Sequence, residues 1–365
     1  MKLSCFYIMT APESMGFPYM ESIISSLSIC DEVVLVLGRD EEESDKKINN
    51  LKSFLERDGH TDKLKIIRTH NWPEENWHYD VMKEHLQIGL DACTGDLCMK
   101  IDADHVFRNQ HADLIRHNLI KYAKMHHYVP INLVHFYSHN VASFRTQMGQ
   151  DLANCYIINK KKLKEDDLTC EITNDKGSNR PTFFEKNGKE CEDVHLGLIG
   201  DFSTVNKENK ADLSKTYLLC VDIFAPVNYS YTFCNKGQIS KYWSRWFKAR
   251  NMKFGGDKEF DYENPDSSFE YFLKYYHEKK IPKRKLRKEC PEIRDVFRKN
   301  QQDFDSVKKK DYVFTQSAIC WFSPTEETKT YFPLKNHPEI MKGKLTTIDK
   351  DMWGYNNFLE ELEKM

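Results

Sequence analysis

Two carboxylates one residue apart are the side chains of this sequence best suited to metal chemistry. The stretch 94–105 reads TGDLCMKIDADH, in which a turn signal precedes a short, mainly apolar run that ends at Asp102 and Asp104. Side chains at positions i and i+2 of an extended segment point to the same side, so both carboxylates can reach one cation. Mg²⁺ and Mn²⁺ take oxygen ligands and commonly bridge carboxylates to substrate phosphates. The segment therefore predicts a metal-assisted reaction on a phosphorylated, nucleotide-like substrate.

Alternating strand and helix patterns place this acidic segment at the end of a fourth strand. Strands are expected at 3–9, 33–37, 63–68 and just before Asp102, with helices at 18–27, 44–57 and 79–92 between them. This alternation predicts an α/β fold in which helices cover both faces of a mostly parallel sheet. Ligands bind such sheets at the carboxyl ends of the strands, where Asp102 and Asp104 fall. Further on, we expect a helix at 109–125, strands at 129–136 and 155–158, and polar rim loops at 160–167 and 175–189.

Composition indicates an ordinary globular protein. The 365 residues are 40% hydrophobic and 30% charged, which allows a sizeable core. The formal net charge of −2 gives no general attraction to nucleic acid, so no nucleic-acid partner is expected. The composition changes after Gly256, which predicts a domain at 1–256 and a mostly helical C-terminal extension at 257–365.

The cysteines and the hydropathy pattern predict a cytoplasmic location. The 11 cysteines include no C-x-x-C pair and no zinc-like spacing, which favours reduced thiols. The first apolar run is too short for a membrane span and lacks a cleavage region, so neither a transmembrane segment nor a signal peptide is expected. The basic run 279–288 is either a solvated helix face or a peripheral contact with anionic lipid or a lipid-diphosphate acceptor.

The order of elements and one motif resemble the family-2-type glycosyltransferases with the GT-A fold. The resemblance covers residues 1 to about 110 and is carried by Gly89, Gly95, Asp96 and the Asp-Ala-Asp at 102–104. It implies a GT-A-like, Rossmann-like sheet that is mixed but mostly parallel. It also implies a hexosyl- or pentosyltransferase of glycan biosynthesis, which uses Mn²⁺ or Mg²⁺ to move a sugar from a nucleoside-diphosphate sugar to a glycan or other acceptor hydroxyl. Inversion by a single displacement is expected.

The sequence departs from the family pattern at 100 and 105, and also at 86–87, where Leu86 and Gln87 replace a frequent Arg-Asn pair. His105 stands where an acidic residue is common, and Lys100 stands where an apolar residue is usual. Two alternative functions therefore stay open. One is a nucleotidyltransferase on a related sheet, although the expected Gly-rich, Arg-containing loop after the first strand is missing. The other is a non-catalytic scaffold that binds a glycan or nucleotide.

The resemblance implies roles for five residues in binding the donor. Asp104, together with Asp102 directly or through water, would hold the metal against the diphosphate. Asp40 ends the second strand and would contact the base or ribose; the alternative is a solvated charge in the acidic run 40–43. Ala11 and Glu13 follow the first strand, where the nucleoside would lie, although Glu13 could simply begin a helix.

The resemblance also implies a general base downstream. An inverting transfer needs a carboxylate to take the proton from the acceptor hydroxyl. The motif ECEDVH at 190–195 supplies Asp193 as the first choice and Glu192 as the second. His195 would complete the metal site or face the diphosphate. The alternatives are a charged loop for the two carboxylates and a structural role for the histidine.

Overall fold

The computed structural model describes residues 1–73, 79–131, 134–136, 141–143, 155–175, 178–191, 193–195, 227–228, 329–331 and 338–345. Its N-terminal part alternates strands and helices as predicted. The elements are β1 (Leu3–Met9), α1 (Tyr19–Ile29), β2 (Glu32–Leu37), α2 (Glu42–Arg57), β3 (Leu64–Arg68), α3 (Tyr79–Ala92) and β4 (Leu97–Lys100).

Further elements follow β4. They are β5 (His105–Val106), a 3-10 turn (Asn109–His111), α4 (Ala112–Ala123), β6 (Tyr128–Pro130), β7 (Val134–Phe136), β8 (Val141–Ser143), β9 (Tyr156–Asn159), α5 (Lys160–Glu165), β10 (Leu168–Asp175), β11 (Ser178–Glu185), β12 (Val227–Asn228), β13 (Lys329–Tyr331), a second 3-10 turn (Glu339–Met341) and α6 (Lys342–Leu345). Among the described residues, no helix has both the length and the apolar character needed to cross a bilayer.

A mixed, mostly parallel sheet of six strands forms the centre of the fold. The strand order is β3-β2-β1-β4-β9-β6, and the first four strands are parallel while β9 and β6 alternate in direction. This arrangement confirms the predicted α/β class and is consistent with a GT-A-like, Rossmann-type fold. The chain runs outward from β1 through β2 to β3 and then returns to the other side of β1 to form β4. The carboxyl ends of β1 and β4 therefore meet at a topological switch point, where open α/β sheets bind ligands.

Both faces of the sheet are apolar, as the continuous hydrophobic strands predict. One face packs against residues of α1, α2 and α4, including Ile23, Ile48 and Leu119. The other face packs against α3, and Gly89 allows the closest approach: a Cβ at that position would lie 2.5 Å from a ring carbon of Phe6. Burial of both faces leaves the strand ends as the part of the sheet that a ligand can reach.

The prediction of loops at 160–167 and 175–189 is wrong. Residues 160–165 form α5, because the Asn159 side chain caps its first turn by accepting the N–H of Lys162 at 2.9 Å and Leu163 is buried. β10 and β11 form an antiparallel hairpin whose Ile172 and Phe183 are buried beside α3. Most of the described polar residues of both stretches are at least partly exposed, although Asn179 and Thr182 are buried, and this polar character hid the buried positions in the sequence.

The predicted strand at 129–136 divides between two sheets. Its first part is β6 of the six-stranded sheet, while its second part, β7, lies in a five-stranded sheet of order β13-β8-β7-β12-β5. Because β5 follows the acidic segment directly, this second sheet also borders the candidate site.

Two parts of the predicted C-terminal extension are described, β13 and residues 338–345, and the second contacts the N-terminal elements. Met341 is fully buried, the N–H of Ile340 donates to the Asn109 side chain at 3.2 Å, and Lys344 pairs with Glu21 of α1 at 2.8 Å. The boundary predicted at Gly256 lies outside the described residues.

Candidate functional site

A turn at the carboxyl end of β4 brings three potential ligand groups together. Each of three residues offers one ligand atom, and these three atoms lie within 4.8 Å of one another; the residues are Asp102, Asp104 and His105. The Asp104 side chain is largely buried, whereas that of Asp102 is 31% exposed. The sequence argument assumed an extended segment here. Instead, β4 ends at Lys100, and the N–H of His105 donates to the Asp102 carbonyl at 3.0 Å to close a turn that makes the carboxylates converge.

Serine side chains of α1 hold this turn in place through hydrogen bonds. The Ser22 hydroxyl lies 2.5 Å from the His105 carbonyl oxygen and 3.2 Å from that of Asp102, so it donates to this pair. Ser25 accepts the N–H of Phe107 at 3.1 Å. The Tyr7 hydroxyl on β1 contacts both Ser22 and Ser26, and burial raises the pKa of Tyr7, so it remains a protonated donor. The turn is thus held by buried hydrogen bonds, which keeps its geometry defined before any ligand binds.

His105 faces the carboxylates with an N–H group. Its Nδ1 accepts the backbone N–H of Asp102 at 3.3 Å, so in the neutral imidazole the proton is on Nε2. That Nε2 lies 3.9 Å from Asp102 Oδ2 and 3.7 Å from Asp104 Oδ1. A nitrogen that carries a proton offers no lone pair to a cation, so in this tautomer the two carboxylates are the groups that could hold a cation.

Lys100 is a site residue to which the sequence argument gave no role. It is 5% exposed, and its Nζ lies 2.6 Å from Oδ1 of Asp102. The available signal was its position, since a charged residue interrupts the apolar run of a buried strand. The sequence analysis registered it only as a departure from the family pattern.

The carboxylate oxygens of Asp102 and Asp104 fit a hard divalent cation. Asp104 and Oδ2 of Asp102 offer carboxylate oxygens at the edge of the sheet, and ions such as Mg²⁺ and Mn²⁺ bind one or two carboxylates and complete their coordination with water and substrate phosphate. These residues would hold the ion from one side and leave its other positions open.

The predicted nucleoside-binding residues lie where β1 ends. Ala11 has a φ of 45°, a left-handed conformation that turns the chain sharply after β1. Glu13 accepts hydrogen bonds from Tyr19 at 2.7 Å and from Lys47 at 2.8 Å. Burial alone would raise the pKa of Glu13, but the hydrogen bonds from Lys47 and Tyr19 outweigh it and lower the pKa. Glu13 is therefore an ionised group that ties the β1 turn to α2.

Asp40 lies at the same edge of the sheet, beyond the end of β2. Its side chain is 62% exposed, and its oxygens lie 3.3 Å from Arg68 and 3.1 Å from His70, both at the end of β3. The carboxylate is thus oriented by two neighbours and accessible to a ligand.

The structure does not bring the downstream motif to the two aspartates. The His195 carbonyl accepts the N–H of His127, and the His127 carbonyl accepts the N–H of Asn159, which pairs with Leu97 at the start of β4. His195 and the exposed Asp193 therefore lie beyond the opposite end of the strand that leads to Asp104. Glu192 lies outside the described residues.

Comparisons with known proteins identify no family for the chain. No protein-family model and no curated protein matches it. Among solved structures it is similar to S. aureus TarS 1–349, with a TM-score of 0.34 and 13% identity over 49% of this chain and 52% of that chain, or about half of each. It is also similar to S. aureus TarS 1–349 in complex with UDP-GlcNAc (TM-score 0.35, 11% identity, 75% of this chain and 81% of that chain) and in complex with UDP (0.31, 9%, 76% and 72%).

Proposed function

We propose that this protein is a metal-dependent glycosyltransferase that moves a sugar from a nucleoside-diphosphate sugar to an acceptor hydroxyl. One observation carries the proposal. Asp102 and Asp104 converge at the carboxyl end of β4, beside the end of β1, at the switch point of a mostly parallel sheet. Two carboxylates with open coordination positions suit a cation that binds a diphosphate.

The proposed chemistry divides between the cation and the side chains around it. A bound Mn²⁺ or Mg²⁺ would offset the charge that develops on the leaving diphosphate. Asp102 and Asp104 would hold the ion, and Ser22 keeps their turn in place. Asp40 and the turn at Ala11 and Glu13, at the same sheet edge, would bind the nucleoside.

The catalytic base is a separate part of the proposal. Asp193, with Glu192 as the alternative, is proposed to take the proton from the acceptor hydroxyl in an inverting displacement. The described position of 193–195, beyond the other end of β4, is not at the donor site, so this role requires the segment to reach the acceptor hydroxyl during turnover. Kinetics of Asp193→Asn test this role: a base role requires a large loss of kcat with donor binding unchanged, and unchanged kcat contradicts it.

We also propose a cytoplasmic location and a glycan or other hydroxyl compound as acceptor. All seven cysteines among the described residues are free, which agrees with a reducing compartment. The identity of the donor decides which acceptor classes deserve testing.

The experiment is a thermal-shift panel of nucleoside-diphosphate sugars, each with and without Mn²⁺. A ligand that binds the folded state raises the melting temperature by mass action. We expect at least one donor to raise it only when Mn²⁺ is present, and transfer to water or an added acceptor hydroxyl to follow with that donor. Binding without turnover would indicate a scaffold, and pyrophosphate release from a nucleoside triphosphate and a sugar phosphate would indicate a nucleotidyltransferase; either result contradicts the proposal.

A further inference from the structure

A buried ammonium holds one of the two carboxylates of the candidate site. Lys100 is the last residue of β4, and it stands in register between Phe6 on β1 and Tyr156 on β9. Both aromatic residues are fully buried, so the lysine stem is enclosed. Its Nζ lies 2.6 Å from Asp102 Oδ1, a short, charge-assisted contact. The surroundings therefore confine the stem and hold the ammonium beside Asp102.

This contact changes what the site offers to a cation. Two carboxylates and one ammonium have a formal charge of −1, half that of the carboxylates alone. The ammonium also occupies Oδ1 of Asp102, so this carboxylate would offer an ion its Oδ2 beside the carboxylate of Asp104. A divalent cation bound there would be repelled by Lys100 over a short distance in a partly buried setting, where charges interact more strongly than in water.

We infer that Lys100 is a positioning residue that makes cation binding depend on the diphosphate of the donor. This inference rests on the proposed function. The bare site would bind Mn²⁺ weakly, because the lysine cancels part of the attraction. A diphosphate would place negative charge beside both the bound ion and the Lys100 ammonium. It would attract both groups, so the ion and the donor would bind together. Coupling of this kind is reciprocal, and each ligand raises the affinity of the other by the same factor.

The test compares Lys100→Met with Lys100→Arg. Methionine has a similar shape without the charge, while arginine keeps the charge. Lys65→Met removes an exposed lysine of β3 and serves as the matched control. The affinity for Mn²⁺ is measured by the EPR signal of the free ion, first without additions and then with saturating ADP, CDP, GDP or UDP. Thermal unfolding establishes that each variant is folded.

We expect Lys100→Met to bind Mn²⁺ alone about tenfold more tightly than the unmodified protein, and its coupling to the diphosphate to fall by a similar factor. Lys100→Arg and Lys65→Met should match the unmodified protein. If all four proteins bind Mn²⁺ alone with equal affinity, the role of Lys100 is overturned while the metal site stands. If none binds Mn²⁺, even with a nucleoside diphosphate, the metal site and the proposed function fail as well. If Lys100→Met does not fold, Lys100→Gln takes its place. Lys100→Gln should then bind Mn²⁺ alone more tightly than Lys100→Arg does, and equal affinities would overturn the inference.

Discussion

The Ser22 hydroxyl lies 2.5 Å from the main-chain oxygen of His105, a residue 83 positions later in the chain. Ser22 is on α1 and fully buried, and His105 begins β5 directly after the acidic turn. One side chain therefore connects the first helix to the turn that carries Asp102 and Asp104. This contact and the hydrogen bond from the His105 N–H to the Asp102 carbonyl together hold the shape of the turn.

Ser22→Ala should destabilise the protein and weaken cation binding. It removes a buried donor and leaves the His105 carbonyl without it, at a cost of about 1–2 kcal/mol in the free energy of unfolding. Urea denaturation measures this cost. Ser28→Ala is the control, because it removes an exposed hydroxyl of the same helix and should change stability by less than about 0.5 kcal/mol. Equal effects of the two substitutions would contradict the role of Ser22.

Asp104→Asn should abolish metal binding while the fold remains. It keeps the shape of the side chain but removes its negative charge and replaces one carboxylate oxygen with an NH2 group, which does not bind hard cations. If the metal stabilises the transition state by several kcal/mol, sugar transfer should fall about a thousandfold. Mn²⁺ binding and turnover are measured together. Asp113→Asn, on the exposed face of α4, is the control and should retain both properties.

Much of the fold could be predicted because its signals are local. The apolar runs of β1 and β2 are buried on both faces, and α3 begins and ends where its pattern predicts. α5 and the β10–β11 hairpin were missed because their outward residues are polar and their buried residues are few. What decides those elements is contact with α3 and the sheet, which no local pattern contains.

Part of the candidate site was predictable from the sequence, but its geometry was not. The spacing of Asp102 and Asp104 marked two candidate ligands, yet their convergence depends on a turn held by Ser22, a long-range contact. The pairing of Lys100 with Asp102 was within reach, since positions i and i+2 of a strand share a face. The position of His195 could not be predicted from the sequence, because it depends on the long-range hydrogen bond between the His127 N–H, next to β6, and the His195 carbonyl.

Gly89→Ala should destabilise the protein although alanine favours helices. A Cβ at this position would lie 2.5 Å from the Phe6 ring, so α3 would have to move away from the sheet. Overpacking of this kind typically costs about 1–3 kcal/mol and exceeds the gain of about 1 kcal/mol in helix propensity. Gly343→Ala in α6 is the control, because a Cβ there meets open space. Chemical denaturation should show a loss for Gly89→Ala and none for Gly343→Ala; a gain at both positions would contradict the close packing.

Glu32→Gln should remove part of the loss of stability in acid. Glu32 is buried at the start of β2 and accepts the Ser4 hydroxyl at 2.5 Å and the Thr94 N–H at 2.8 Å. Burial would raise the pKa of Glu32, but these hydrogen bonds and the nearby Lys2 charge lower it below the ordinary value of 4.5. A lowered pKa means that the folded protein favours the ionised form, so this stabilisation is present above pH 4.5 and is lost as the pH falls through the pKa of the folded state.

At pH 7 the variant should be about 1–3 kcal/mol less stable, and the difference should shrink below pH 4.5, because protonated Glu32 resembles glutamine. Urea unfolding of both proteins across this range, with exposed Glu56→Gln as the control, measures the difference; a gap that stays constant with pH would show that Glu32 is not the group responsible.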